Sequence, residues 1–229
     1  MKPEPRPDRE GKSMWELFAG GHSMTEVNAL FWDVGGVILT NGWDRASREH
    51  AARKFHLDGD ELRARHDLAG PALEAGQITL DEYLERTVFF QARTFTREAF
   101  KAFMFAESRE HAETRATVAE LARSRKYLMA TINNEGLELN LHRIQQFNLR
   151  RDFVAFFSSC FLGVLKPDPA IYRLALQVTQ RAPEECVFID DRALNLECAR
   201  RMGMRTIHYQ NAPQLQAELS NQGVHWESN

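Results

Sequence analysis

The chain alternates between two textures. Short apolar runs end abruptly at polar residues or follow a glycine. Ala29 to Trp32 precedes Asp33, Tyr127 to Ile132 precedes Asn133, Val187 to Ile189 precedes Asp190, and Thr206 to Tyr209 follows Gly203. Runs of this length predict strands buried on both faces. Between them lie patterns of helical period. Ile171, Leu174, Ala175 and Val178 recur at i, i+3, i+4, i+7 behind Asp168 as N-cap and Pro169 at the first helical position. Asn195, Cys198, Ala199 and Met202 repeat that spacing, with Gly203 as a C-terminal stop. Strands alternating with helices predict an α/β fold, a parallel sheet sandwiched by helices. Such sheets bind ligands beyond the carboxyl ends of their strands, where Asp33, Asn133 and Asp190 fall.

One stretch breaks the alternation. Residues 41–110 show only helical patterning, with two starts marked by N-cap and N3 pairs, Asp58 with Glu61 and Thr79 with Glu82, and a turn at Gly76 between them. This predicts an all-helical cap subdomain over the carboxyl edge of the sheet. The sheet domain is then discontinuous, 24–40 and 111–229. The first 23 residues read as a flexible leader, because MKPEPRPDREGK offers nothing to pack. Within it, Ser13-Met14-Trp15-Glu16 has the form of a capping box opening one turn before Gly20-Gly21, and Met24 reads as an alternative start.

Composition mainly adds exclusions. Of the 229 residues 43% are hydrophobic, including fifteen Phe and four Trp, so the chain can build a core. A net charge of -3 lacks the basic excess of a dedicated nucleic-acid binder. No apolar run approaches the ~20 residues that span a bilayer. The expectation is a cytoplasmic protein with no nucleic-acid or membrane partner and an undetermined oligomeric state. Cys160, Cys186 and Cys198 form no CxxC and sit in apolar contexts, as core residues rather than nucleophiles or zinc ligands. Neither HExxH, GxxxxGK[ST] nor GxSxG occurs.

Three short segments carry candidate chemistry. Asp33 follows a buried strand and precedes Val34-Gly35-Gly36, whose backbone N–H groups can point at an anion; the same residues also suit a plain turn. Asp190 and Asp191 are adjacent carboxylates after an apolar strand. Like charges 4 Å apart repel by roughly 4 kcal/mol at an effective dielectric of 20, which a hard divalent cation such as magnesium relieves. Capping of the following helix is the alternative. Lys166, in Lys166-Pro167-Asp168-Pro169, either presents a fixed positive charge above the strand ends or is a solvated loop lysine.

In order and spacing, Asp33, Asn133, the KPDP lysine and the DDxxxN of Asp190 to Asn195 resemble the haloacid dehalogenase-like hydrolase superfamily. The insertion at 41–110 resembles its members with an alpha-helical cap. The resemblance runs from Met24 to about Asn211. It implies a Rossmann-like core and a magnesium-dependent phosphatase acting on a small phosphorylated substrate. Asp33 would be the nucleophile, forming an aspartyl-phosphate. Asp33, the Gly35 carbonyl and Asp191 would hold Mg2+, with Asp190 or Asn195 supporting. Lys166, the amide of Asn133, the adjacent Asn134, and the Gly35 and Gly36 backbone would bind the phosphate.

Two departures matter. Phosphatases of this family usually carry a second Asp, the general acid and base, at the position of Gly35. Such help is worth 10²–10⁴-fold, so its loss implies a preference for aryl, acyl or anomeric phosphates, whose leaving groups need little protonation. The family also usually has Ser or Thr where Asn133 aligns; Thr131, two residues earlier on the same face, is the other possibility. Two further readings compete: a metal-independent 2-haloacid dehalogenase, and a non-catalytic module binding a phosphorylated ligand or partner. Within the cap, Phe89, Phe90, Phe95, Phe100, Phe103 and Phe105 could line a pocket but fit better as its core, while His50, Arg53 and Arg63 could reach a polar substrate or form a solvated face.

Overall fold

The computed structural model describes residues 25–226. The leader, with its Ser13–Glu16 turn and Met24, lies outside the described residues. The sheet contains β1 (Ala29–Trp32), β2 (Leu128–Asn133), β3 (Ala155–Ser158), β4 (Cys186–Asp190) and β5 (Arg205–His208). The helices are α1 (Arg45–Phe55), α2 (Gly59–Glu74), α3 (Leu80–Thr87), α4 (Arg97–Ala106), α5 (Ala112–Ser124), α6 (Leu137–Gln146), α7 (Ser159–Leu162), α8 (Pro169–Thr179), α9 (Ala193–Arg201) and α10 (Ala212–Asn221). All strand pairs are parallel, in the order β3-β2-β1-β4-β5. The expected α/β Rossmann-like architecture is therefore present.

The four read strands fall within a residue or two of their predicted limits. Pattern does not reveal β3, an edge strand whose first two residues are only half-buried and which lacks a glycine or charged stop. Asp168 caps α8 through the Ala170 N–H at 2.8 Å, with Pro169 in the first turn. The apolar face of α8 differs from the predicted one. Ile171, Tyr172, Ala175 and Leu176 are buried, whereas Val178 is 67% exposed. Tyr172 sets this rotation: its ring meets Phe188 edge-on at 5.4 Å and its hydroxyl donates to Asn195 O at 3.0 Å.

Two apolar clusters cover the two faces of the sheet. One contains Leu30, Trp32, Val187 and Ile189; the other contains Phe31, Ala130, Phe188 and Ile171. Alternation along a strand sends neighbouring residues to opposite clusters. Helices α1 to α4, all within 41–110, share a third cluster. Asp58 caps α2 through the Asp60 and Glu61 N–H groups, and Thr79 with Glu82 forms a reciprocal capping box on α3. Most of the phenylalanine stretch is core: Phe100 and Phe103 are buried, with Phe89, Phe95 and Phe105 packed against the cluster. Phe105 also stacks on His142 of α6 at 4.6 Å, which joins this cluster to the helices that cover the sheet.

Phe100 is the centre of this third cluster, fully buried with Trp43, Phe55 and Phe95 at centroid distances of 5.7, 4.9 and 5.9 Å. Phe100→Ala should lower stability by about 3–5 kcal/mol in urea unfolding, as expected for an aromatic core deletion. A loss below about 1 kcal/mol would show that the cap does not depend on this cluster.

Candidate active site

The strand order reverses at β1, which leads to β2 on one side and pairs with β4 on the other. A crevice opens there beyond the carboxyl ends. Register fixes what lines it. Trp32 stands level with Thr131 and Ile189, so Asp33 emerges beside the end of β4 and the adjoining Asp190 and Asp191. Asp33, Asp190 and Asp191 each present a carboxylate oxygen, all within 4.8 Å of one another.

Lys166 enters the same point. Its ammonium lies 2.9 Å from Asp33 Oδ2 and 2.6 Å from Asp190 Oδ2, nearly excluded from solvent. Burial works to lower the Lys166 pKa, but Asp33 and Asp190 outweigh it and raise it, so the side chain keeps its proton. One ammonium does not balance three carboxylates. Burial pushes Asp33 up to about 7, opposed by Lys166 and reinforced by Asp190 and Asp191. The Val34 N–H at 2.8 Å holds Asp33 Oδ1.

Asp190 is saturated. Its Oδ1 accepts from Arg192 N at 2.8 Å and Asn195 Nδ2 at 3.1 Å, while its Oδ2 accepts from Lys166 and from Asn195 at 3.0 Å. Those bonds fill the acceptor sites of a carboxylate. Asp191 is the reverse case: its Oδ1 is buried with no hydrogen-bond partner among the described residues. Gly36, at φ +77°, passes so close that a Cβ would overlap the Asp191 carboxylate. A buried, unpartnered carboxylate oxygen beside two other carboxylates suits a hard divalent cation. The residues fit such an ion.

The other sequence candidates are placed as follows. Asn133 is 1% exposed; its amide donates to Asn140 Oδ1 at 3.1 Å and its Oδ1 accepts from Ser158 Oγ at 2.9 Å, so it lies behind the cleft wall. Asn134 lines the cleft and grips the Lys166 backbone twice, donating to its C=O at 2.9 Å and accepting its N–H at 2.8 Å. The Gly36 N–H donates to Leu39 O at 2.7 Å. Gly35 lines the cleft beside Asp33. Thr131 is fully buried. The Cys160 and Cys186 thiols are pushed up to about 12 by burial, in keeping with core roles.

Between cap and sheet edge lies a cavity of about 320 Å3, lined by Asp33, Lys166, Arg48, His66, Glu74 and Arg192 among others. Phenylalanine is absent from its lining. His50 and Arg53 instead face a separate depression that Gly36 and Asp191 also line, and Arg63 is an exposed partner of Asp60. Arg48, His66 and Glu74 have no sequence signature, because they come from two cap helices that meet only in the folded chain. Arg143 carries a role equally invisible in the sequence. It is 2% exposed and binds Glu135 at 2.8 Å, Ser108 Oγ at 3.0 Å and Thr40 O at 2.8 Å, tying both connections of the cap to α6.

Comparison with known proteins bears on the family and the fold. A family model described as haloacid dehalogenase-like hydrolase matches residues 27–203. Flavin mononucleotide hydrolase 1 of Arabidopsis thaliana is 27% identical over 163 residues, which cover 71% of this chain and 65% of that protein, under two thirds of its length. A HAD family enzyme of Bacteroides thetaiotaomicron, solved with magnesium and inorganic phosphate, superposes with a TM-score of 0.68 at 19% identity, over 81% of this chain and 95% of its own. A solved dehalogenase superposes at 0.58 and 20% identity, over 79% and 83%. At such identities the structural likenesses speak to fold. No helix among the described residues is long and apolar enough to cross a membrane.

Gly36→Ala should weaken magnesium binding at least tenfold by calorimetry, because the new methyl displaces Asp191. Gly163→Ala is the control: its φ is +70°, yet nothing lies within 4 Å of a Cβ there, so it carries the backbone strain alone. Equal magnesium affinity in the two variants would show that Asp191 takes no part in holding the ion.

Proposed function

The chain belongs to the haloacid dehalogenase-like hydrolases, and from that premise we propose that it is a magnesium-dependent phosphatase of a small phosphorylated metabolite, working through an aspartyl-phosphate on Asp33. The observation that carries this reading is the charge imbalance at the strand ends. Three clustered carboxylates face one ammonium, and one buried oxygen of Asp191 is left unpartnered. A metal-independent dehalogenase has no use for that arrangement. A purely binding module has no use for a nucleophile held on both oxygens, by Val34 N–H and by Lys166.

Asp33, the carbonyl of Gly35 and Asp191 would hold the ion, with Asp190 behind them, its own oxygens anchored by Asn195, Arg192 N–H and Lys166. Bound there, magnesium offsets the carboxylate charge and so lets an anionic nucleophile approach a phosphate dianion. Lys166 neutralises the nucleophile in the resting site and contacts the phosphate in the complex. Asn134 acts at one remove, fixing the Lys166 backbone. The Gly35 N–H is the donor proposed for phosphoryl oxygens; Asn133, expected from the sequence to share that role, is buried behind the cleft wall and bonds Asn140 and Ser158 instead. The cap closes the cleft from above: the Ser159 hydroxyl donates to Glu74 O at 2.6 Å, and Glu138 accepts the Leu80 N–H at 2.9 Å. Closure keeps bulk water from the aspartyl-phosphate.

The test is a screen of phosphate monoesters on the purified protein, flavin mononucleotide among them, with and without magnesium. Turnover should appear only with the ion, should vanish in Asp33→Asn, and should leave the unaltered protein transiently phosphorylated. Halide release from 2-haloacids without added metal would sink the reading in favour of the dehalogenase. Phosphate-ester binding with no turnover across the panel would favour the binding module.

A further inference from the structure

Gly35 leaves the site without an acid in the usual place, and its surroundings do not restore one. A Cβ at position 35 would sit 3.0 Å from Asn41 Oδ1 and 3.4 Å from Arg143 Nη1. Neither an amide nor a guanidinium yields a proton near neutral pH. The direction of the chemistry points elsewhere. In a displacement by Asp33 the leaving oxygen departs in line, opposite the nucleophile. On that side Asp33 opens into the cavity between helices α1 to α4 and the sheet edge.

The titratable groups that line this cavity can be taken in turn. Glu135 is bound to Arg143 at 2.8 Å. Glu138 accepts the Leu80 N–H, and Asp44 caps α1 through the Ser47 N–H at 2.9 Å. His66 is engaged with Tyr83. Trp43 can only donate, so the Tyr83 hydroxyl accepts from Trp43 Nε1 at 2.8 Å, and the same hydroxyl pairs with His66 Nδ1 at 2.9 Å. Burial pushes this imidazole down to about 4, so it is neutral and carries no proton to spare as an acid. Glu74 is left. Its side chain makes no hydrogen bond or ion pair among the described residues, it is half-buried, and it lines the same cavity as Asp33 and Lys166. Its backbone is anchored to the sheet domain by Ser159.

We propose that Glu74 is a catalytic residue, supplying from the cap the proton transfer that position 35 cannot. The inference rests on the phosphatase reading above. In the first step Asp33 forms a bond to phosphorus, the bond from phosphorus to the leaving oxygen breaks, and the Glu74 carboxyl gives its proton to that oxygen, releasing an alcohol. In the second step water attacks phosphorus, its proton passes to the Glu74 carboxylate, and the bond to Asp33 breaks, releasing phosphate and restoring both side chains. Burial raises the Glu74 pKa, which favours the protonated form that the first step needs, while Arg192, Arg48 and Lys166 oppose the shift and stabilise the carboxylate that the second step needs. An acid on the cap wall also extends the substrate range from the activated esters implied by Gly35 to alkyl phosphates.

Glu74→Gln keeps shape and removes the proton, so the two ester classes separate the roles. In single-turnover measurements phosphoenzyme formation from an alkyl phosphate should slow about 10²–10⁴-fold, while the first-turnover burst of phenol from p-nitrophenyl phosphate, whose leaving group needs no acid, should slow less than about threefold. Steady-state turnover of both esters falls, because the second step loses its base. The retained burst also shows that the variant is folded. Equal first-step losses on both esters, or none on either, would overturn the assignment, as would an unaltered protein that turns over only the aryl ester. If the unaltered protein hydrolyses neither ester with magnesium present, the phosphatase reading itself falls, and this inference with it.

Discussion

The structure is organised around an electrostatic imbalance held in place by hydrophobic packing. Parallel strands β1 and β4 pair in register, so the carboxylates at their ends are carried into one crevice by backbone hydrogen bonds that ignore charge. Lys166 is the one buried cation among them, 2.6 and 2.9 Å from two of the three. Isolated buried charges of this kind are expensive, and the expense is tolerated because the sheet beneath is fully packed on both faces. Several surrounding details follow from that constraint. Asn195 and the Arg192 N–H are there because Asp190 needs every acceptor site filled. Gly36 has no side chain because Asp191 occupies the space one would take.

The cap is a second, smaller problem in packing. Four helices gather their own aromatic cluster, which Leu139 and His142 of α6, Ser159 and Glu138 join to the rest of the molecule beside the two chain connections. Arg143 spans both, bonding Thr40 on one and Ser108 on the other. A fully buried guanidinium needs partners for its donors, and here the partners are the backbone and hydroxyl groups of the joints. The outcome is a cleft whose floor is the charged crevice and whose roof is polar, with Arg48, His66 and Glu74, rather than the phenylalanines clustered behind it. The side chains that face the cleft therefore come from the inner surface of these helices and not from their phenylalanine core.

How much of this could be read beforehand depended on range. Asp33, Lys166, Asp190 and Asp191 are legible because each ends an apolar run or opens a helix, and such punctuation is local. Asp168, Thr79 and Asp58 are legible as caps for the same reason. The stripe on α8 was misplaced because Tyr172 turns it toward Asn195, a residue of another helix. Strand β3 was hidden because four residues at a sheet edge carry no period of their own. Asn133 and Asn134 show the limit within a single dipeptide: both stand at the end of β2, yet one turns inward to Asn140 and the other holds Lys166.

What the amino-acid sequence determined by itself was the class of fold, four of its five strands, the helical patterning between β1 and α5, and the carboxylates at the strand ends. These rest on periodicity and on turn chemistry, which act over a few residues. Tertiary structure alone decided which of those carboxylates is saturated and which is left open, which side chains of helices α1 and α2 face the cleft, and that Glu74 lines the same cavity as Asp33 with no side-chain partner among the described residues. Those outcomes depend on distances between segments far apart in the chain. Packing sets such distances only once the whole molecule has closed.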